Sequence, residues 1–161
     1  MNRPASPLTI RRARPDLAAV LTGLAHDSKA HWGYPPEWIR AWSTDLTFSE
    51  ASLRDRLVYA AFDGDRVVGV HALLPDGERC ELEHFWVHPA AMGRGVGRLL
   101  FDHTVRTARE AGALTLEISS DPYARGFYIK MGCREVGRVP APMEGAPDRY
   151  LPRLSLALSE P

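Results

Sequence analysis

The sequence predicts a mixed α/β fold of the α+β kind, a mostly antiparallel central sheet flanked by about four helices. Three observations predict it. Strand-like segments at residues 57–62, 66–74 and around Glu81 follow one another through the turns Asp63-Gly64-Asp65 and Pro75-Asp76-Gly77, which makes an antiparallel meander. A strand, a glycine-rich loop, a helix and a second strand then run in that order from Glu81 to Ser120. The chain closes on a hairpin that begins at Val136 and returns over residues 151–158 after the long loop 139–147. At 161 residues the chain is expected to hold one domain with a sizeable core, residues 8–161, behind an N-terminal tail of residues 1–7.

Taken in order, residues 8–14 read as an opening strand. Pro15 and Asp16 suit the first turn of a helix, and Leu17, Val20, Leu21 and Leu24 recur at helical spacing as far as about Ala30. The stretch from His31 to Pro36 breaks that helix. A second, short helix then carries Trp38, Ile39 and Trp42, and residues 47–53 read as a connecting segment or a further short helix. In the strand from Glu81, the set Leu82, His84 and Trp86 alternates against Glu81, Glu83 and Phe85. Pro89 stops that strand, because proline cannot donate to a ladder and pushes His88 into an extended conformation. Gly93, Gly95 and Gly97 remove side chains where the backbone must turn tightly. The helix that follows, over residues 95–111, is expected to bury Leu99, Leu100, Val105 and Ala108 and to end at Gly112. Leu114, Leu116 and Ile118 alternate on the next strand, and a helix over residues 123–131 precedes the final hairpin.

Composition narrows the function. Twenty basic and twenty acidic residues balance to zero net charge, which argues against a general nucleic-acid binder. No apolar run approaches membrane-spanning length, and the first residues lack the apolar core of a signal peptide, so no membrane partner is expected. Cys80 and Cys133 stand far apart with no metal-ligand spacing, as expected of free thiols in a reducing, cytoplasmic setting. His84 and His88 share no ligand geometry with either glutamate, so no metal is expected.

The chemistry concentrates between Glu81 and Gly97. A glycine loop that opens a helix leaves the helix's first amides pointing outward with the positive end of its dipole behind them, an arrangement suited to phosphate or pyrophosphate. No Gly-Lys-Ser/Thr follows, so this is not a Walker loop, and no acidic residue closes a following strand as a dinucleotide site requires. Upstream, Glu81 and Glu83 lie on one face of the strand as candidate bases.

The motif Met92-Gly93-Arg94-Gly95-Val96-Gly97, followed by Asp121-Pro-Tyr-Ala124-Arg-Gly-Phe127-Tyr128-Ile-Lys130-Met-Gly132, resembles the GCN5-related N-acetyltransferase superfamily. Met92 stands where Arg or Gln is usual, which removes one side-chain contact and leaves the loop amides intact. Asp121 stands where Asn is frequent, while Ala124, Phe127, Tyr128, Lys130 and Gly132 match. The resemblance implies that two central parallel strands, ending at Val87 and Ser119, splay apart. It implies that acetyl-coenzyme A lies along the backbone of Phe85, Trp86 and Val87, with its pyrophosphate at Met92, Gly93, Arg94, Gly95, Val96, Gly97 and Arg98 and its channel shaped by Asp121, Ala124 and Phe127.

The same resemblance implies an N-acetyltransferase that moves acetyl to a primary amine by direct attack in a ternary complex, with no metal. Both Glu81 and Glu83 occupy strand positions from which that family draws a base. Glu83 is slightly preferred for its nearness to the splay point, while motif spacing also permits Glu81, and Tyr128 matches the residue that protonates the departing thiolate. Trp32 and Tyr34 belong to a segment of the acceptor wall in that family and are candidate substrate contacts, with packing of an aromatic cluster as the alternative. The acceptor expected is a small-molecule amine or a peptide or protein amine, and a homodimer is an option that the family leaves open. The alternative function is a coenzyme-binding sensor without turnover.

Overall fold

The computed structural model describes residues 7–158, so the expected N-terminal tail lies, but for its last residue, outside the described residues. Seven strands form one sheet in the order β1-β2-β3-β4-β5-β7-β6. They are β1 (Leu8–Arg12), β2 (Leu57–Asp63), β3 (Arg66–Asp76), β4 (Arg79–Val87), β5 (Thr115–Ser119), β6 (Arg134–Pro140) and β7 (Tyr150–Ala157). Antiparallel pairs include β1 with β2, β5 with β7 and β6 with β7, while β4 and β5 in the middle are parallel. This is the expected mixed, mostly antiparallel sheet. The α-helices are α1 (Ala18–Ala30), α2 (Pro36–Ala41), α3 (Glu50–Asp55), α4 (Val96–Glu110) and α5 (Arg125–Lys130). Among the described residues no helix is long and apolar enough to cross a membrane.

The expected elements form with local adjustments. The stretch expected as connecting segment or short helix contains α3, whose start is set by a capping box: Ser49 Oγ accepts from the Ser52 amide and Ser52 Oγ from the Ser49 amide, each at 3.0 Å. Pro75 and Asp76 continue β3 rather than turning, and the reversal falls on Gly77 at φ +60°. Val139 and Pro140 likewise extend β6 instead of opening the loop. On α4 the buried stripe runs through Val96, Leu100, Thr104 and Ala108 at four-residue steps, with Phe101 and Thr107 beside it. Leu99 falls outside that stripe and is 39% exposed, contrary to expectation. Val20 and Leu114 are exposed as well; Leu114 precedes β5 in a bend and so does not take part in the expected alternation.

The described chain forms two compact units. The first comprises the residues up to Ala72 together with His84–Leu100. One of its clusters joins Leu21, Leu24, Leu46, Phe48, Leu53, Val58 and Val70, with Trp42 and Trp86 packed against it. A second joins Ala61, Val68, Ala91, Val96 and Leu100, flanked by Phe85 and Val87, and anchors the first turn of α4. The second unit comprises Leu73–Glu83 with the residues from Phe101 onward. Its buried side chains include Leu73, Cys80, Phe101, Leu116, Ile118, Tyr128, Cys133 and Leu154. Burial pushes the thiols of Cys80 and Cys133 each up to about 11, with the charge of Glu81 adding to the effect on Cys80.

Candidate active site

In the first unit, β4 hands over to α4 through a loop that local chemistry shapes step by step. Its departure is fixed by the His88 amide, which donates to the Val68 carbonyl at 2.8 Å, and by His88 Nδ1, which accepts from the Ala90 amide at 3.1 Å. Gly93 and Gly95 then adopt φ of +75° and +82°, a region that favours glycine because a Cβ would crowd the following carbonyl. A Cβ built at either glycine would meet no atom within 4 Å, so both face open space. The Leu99 amide donates to the Gly95 carbonyl at 3.1 Å, the first bond of a 15-residue helix whose leading amides have no intrahelical acceptor. Val96 and Leu100 are buried and hold that turn in place, while Arg94 and Arg98 are exposed beside it. Backbone donors and a helix dipole thus lie at an open stretch of chain in which Arg94 and Arg98 are exposed, a chemistry suited to phosphate oxygens.

Gly69 on β3 has a role the glycine spacing did not predict. A Cβ there would come within 3.3 Å of Leu100 Cδ2, 3.4 Å of the Trp86 carbonyl oxygen and 3.5 Å of Val96 Cγ1. The absence of a side chain is what lets α4 settle against this part of the sheet.

Beyond α1 the same unit builds an aromatic enclosure around a lysine. Lys29, 8% exposed, carries Nζ 4.2 Å from the Trp42 ring centre, 5.0 Å from Tyr34 and 6.0 Å from Trp86. Tyr34 stacks on Trp38 at 5.9 Å and meets Trp42 edge to face at 5.0 Å. An ammonium removed from water is costly, and ring faces together with the negative end of α1 offset that cost. Of the two candidate substrate contacts, Tyr34 is part of this cluster, whereas the Trp32 ring rests on His31 at 5.2 Å. Trp86 Nε1 donates to His84 Nδ1 at 3.0 Å, and the His84 ring lies 4.3 Å from that of Phe48. His84 and His88 each spend a ring nitrogen on a local donor.

In the second unit, parallel pairing of β4 with β5 covers Arg79, Cys80 and Glu81 against Thr115, Leu116 and Glu117. Glu81 receives a two-pronged ion pair from Arg153 on β7: Nη1 to Oε1 at 2.5 Å and Nη2 to Oε2 at 2.9 Å. Nη1 also donates to Ser119 Oγ at 3.0 Å. The hydrogen bond to Glu81, then its charge and that of Glu117, raise the Arg153 pKa against the opposing effect of burial. Glu83 follows two residues later on β4 and is exposed. Asp121 Oδ1 accepts from the Tyr123 amide at 2.8 Å, a cap that an asparagine oxygen would supply equally. Tyr128, 5% exposed, packs with Phe101 and Phe127 at ring separations of 5.9 and 5.3 Å. Burial, followed by Cys133 and Asp121, pushes its phenol upward, so the hydroxyl stays protonated at neutral pH.

The model of the acetyltransferase (GNAT) family matches residues 24–133, which takes in the second half of α1, α2 and the whole stretch from β4 to α5. The chain belongs to this family. Its fold is similar to that of a GCN5-related N-acetyltransferase (Aminotransferase, Class-II) from Rhodopseudomonas palustris, with a TM-score of 0.76 and 23% identity over 98% of this chain and 99% of that one. It is also similar to PaiA N-acetyltransferase from Thermoplasma acidophilum in complex with coenzyme A, with a TM-score of 0.69 and 18% identity over 94% and 99% of the two chains. YncA from Salmonella typhimurium, with its cofactor acetyl-CoA, gives a TM-score of 0.69 and 20% identity over 96% of each chain. At these identities the likeness is one of fold.

Within the GNAT family frame, four residues of this chain carry interactions that the sequence motifs did not single out as functional: Lys29, Trp42, Gly69 and Arg153. The first three depend on packing between segments far apart in the chain. Arg153 sits in a strand whose alternation predicts only its face, and nothing in the sequence pairs it with Glu81, 72 residues away.

Proposed function

We propose that this GNAT family member transfers an acetyl group from acetyl-coenzyme A to a primary amine, by direct attack within a ternary complex. The observation that carries the reading is the pair of positive-φ glycines, Gly93 and Gly95, facing open space at the head of α4. A pyrophosphate fits such a cradle: the leading amides of α4 would hold it by backbone hydrogen bonds, and Arg94 and Arg98 would add charge. Met92 contributes no hydrogen-bonding group there, so binding rests on the backbone and the two arginines. Phe85, Trp86 and Val87 would line the pantetheine arm, with Asp121, Ala124 and Phe127 along the channel. Bound acetyl-coenzyme A supplies a thioester carbonyl as the electrophile.

The chain's own residues manage protons. An amine arrives largely as ammonium and cannot attack until its proton leaves. Glu83, exposed on β4, takes that proton in our reading, with Glu81, which Arg153 pairs with two hydrogen bonds, as the other candidate. Tyr128 holds a phenolic proton at Oη that the departing sulfur can take; its raised pKa keeps that proton in place before the transfer and makes the phenol a weaker acid, so the donation helps a leaving group that can also depart unaided. Trp32 and Tyr34 would border the acceptor. The two free, buried cysteines support a reducing, cytoplasmic setting.

Calorimetric titration of acetyl-coenzyme A into the protein and into Gly95→Glu tests the coenzyme site. The reading expects binding that the variant loses, since a carboxylate would enter the cradle and repel phosphate. Binding with no turnover across a broad amine panel would instead identify a coenzyme sensor. No binding to the unaltered protein would end the acetyltransferase reading.

A further inference from the structure

Three of the four tryptophans, Trp38, Trp42 and Trp86, share one cluster with Tyr34 and Lys29 in the first unit. After Lys29, in the last turn of α1, Gly33 turns the chain at φ +80° and Pro36 opens α2. Trp38 and Trp42, four residues apart, then meet edge to face at 5.9 Å. β4 supplies the remaining ring. Alternation separates Phe85 and Val87, which pack with Val96 and Leu100, from Trp86, which packs against the cluster of Leu21, Leu24 and Phe48. The stretch of β4 that would border the pantetheine arm therefore carries the Trp86 ring on its other face, and the aromatic cluster adjoins that stretch.

The rings already hold a cation. Lys29 Nζ lies 4.2 Å from the Trp42 ring centre, 5.0 Å from Tyr34 and 6.0 Å from Trp86, all within the reach of a cation–π contact. Lys29 is buried, whereas Tyr34, Trp38, Trp42 and Trp86 are each half-buried and keep part of their surface at water. Between Ala18 and Asp45 the carboxylates of Asp27, Glu37 and Asp45 and the guanidinium of Arg40 are exposed. A ligand reaching the cluster meets apolar ring surface, while the place suited to an ammonium is filled from within. A second ammonium would lose its water there without gaining those three ring faces in return.

We propose that this cluster sets the class of acceptor: a primary amine with an apolar body, aromatic or aliphatic, and no second ammonium. Lys29 is then a specificity-determining residue, because its own ammonium fills the place that a distal cation of the substrate would take. The inference rests on the acetyltransferase reading and on the position that reading gives to Tyr34 and Trp86. In the transfer the acceptor ammonium loses one proton and the freed nitrogen pair forms the C–N bond. The C–S bond breaks with its electron pair on sulfur, and the second proton lost by nitrogen is matched by the one sulfur takes up. Polyamines and other polycations are excluded by the far end of the molecule, not by the amine that reacts.

The test compares hexylamine with hexamethylenediamine as acceptors for acetyl-coenzyme A, two chains of equal length that differ by one distal ammonium. The unaltered protein is expected to favour hexylamine in kcat/KM by about tenfold or more, the difference lying in KM. Lys29→Met, neutral and of similar length, vacates the cation's place. It should lower that preference by about tenfold through a gain for the diamine, with kcat/KM for hexylamine close to its starting value. Lys29→Arg keeps a cation among the rings and should retain the preference. Acetyl-coenzyme A binding, followed by calorimetry, should be alike in all three proteins. Parity of the two amines in the unaltered protein, or a preference that Lys29→Met leaves unmoved, would overturn the proposal. Absence of turnover with either amine would sink the acetyltransferase reading alone. Tryptophan fluorescence titrated with the same two amines would still decide the rest, since all four tryptophans lie at positions 32, 38, 42 and 86. Hexylamine should perturb it at the lower concentration, and equal or weaker action than the diamine would count against the cluster as an apolar acceptor site. Should Lys29→Met not fold, the two amines on the unaltered protein and on Lys29→Arg carry the comparison.

Discussion

Alanine substitutions at two glycines should shift stability in opposite directions, and the structure gives the reason. Gly23 lies in α1 with a negative φ and nothing within 4 Å of a built Cβ. Alanine there restricts the unfolded chain and favours the helix, a gain of about 0.5–1 kcal/mol. Gly69→Ala has the same unfolded-state benefit, yet its Cβ would press on Leu100 Cδ2 at 3.3 Å and on the Trp86 carbonyl at 3.4 Å. The leucine can shift; the backbone oxygen in a sheet cannot shift freely. Overpacking of this kind costs about 1–3 kcal/mol, so the net effect is a loss of roughly 1–2 kcal/mol. For a chain of this size the melting temperature should fall by about 3–6 °C in Gly69→Ala and rise by about 2–4 °C in Gly23→Ala. Thermal unfolding followed by circular dichroism reads both. Because the crowded atoms support the first turn of α4, Gly69→Ala should also weaken acetyl-coenzyme A binding in calorimetry, while Gly23→Ala should not. Equal stabilisation by both alanines would refute the packing argument.

Further outcomes follow from the same geometry. Tyr128→Phe should lower kcat by about tenfold with little change in KM, since a thiolate can leave without much help; an unchanged kcat would reduce Tyr128 to packing. Both cysteines should resist a thiol reagent at pH 8 in the native protein and react only after unfolding, because burial raises each to about 11. The same shift bears on stability at alkaline pH. Between the ordinary thiol value near 9 and about 11 the unfolded chain releases protons that the folded chain keeps. The folded state therefore loses up to about 1 kcal/mol per pH unit for each thiol as pH rises through that window, and a urea midpoint that stayed level from pH 8 to 10.5 would contradict it. Lys29→Glu would set an anion against the negative faces of Tyr34, Trp42 and Trp86, and should cost about 3 kcal/mol or more. All four tryptophans lie at positions 32, 38, 42 and 86, so their fluorescence reports this region directly, and an unchanged urea midpoint would show that the enclosure tolerates either charge.

Much of the fold was legible because it is written in local patterns. The turn at Gly64, the stop at Pro89, the positive φ at Gly93 and Gly95 and the cap at Gly112 each follow from what a single residue type permits its own backbone to do. Strand alternation in β4 and the spacing of Leu21 and Leu24 in α1 likewise need no knowledge of a partner. The glycine loop and the two glutamates could therefore be read from sequence as a phosphate cradle beside candidate bases.

Tertiary structure decided what those residues meet. Periodicity identified an apolar face on α4 but not its edges, so Leu99 turned outward while Phe101 and Thr104 were buried. Glu81 and Glu83 are equivalent in the sequence, same residue type and same face. Only the register of β4, β5 and β7 brings Arg153 to the first and leaves the second exposed. Lys29 reads as an ordinary charge near a helix end until Trp42 and Trp86 close over it. The physical reason is the same in each case. Backbone preference acts within a few residues, whereas the partner of a charge and the depth of a side chain depend on segments that chain topology alone brings together.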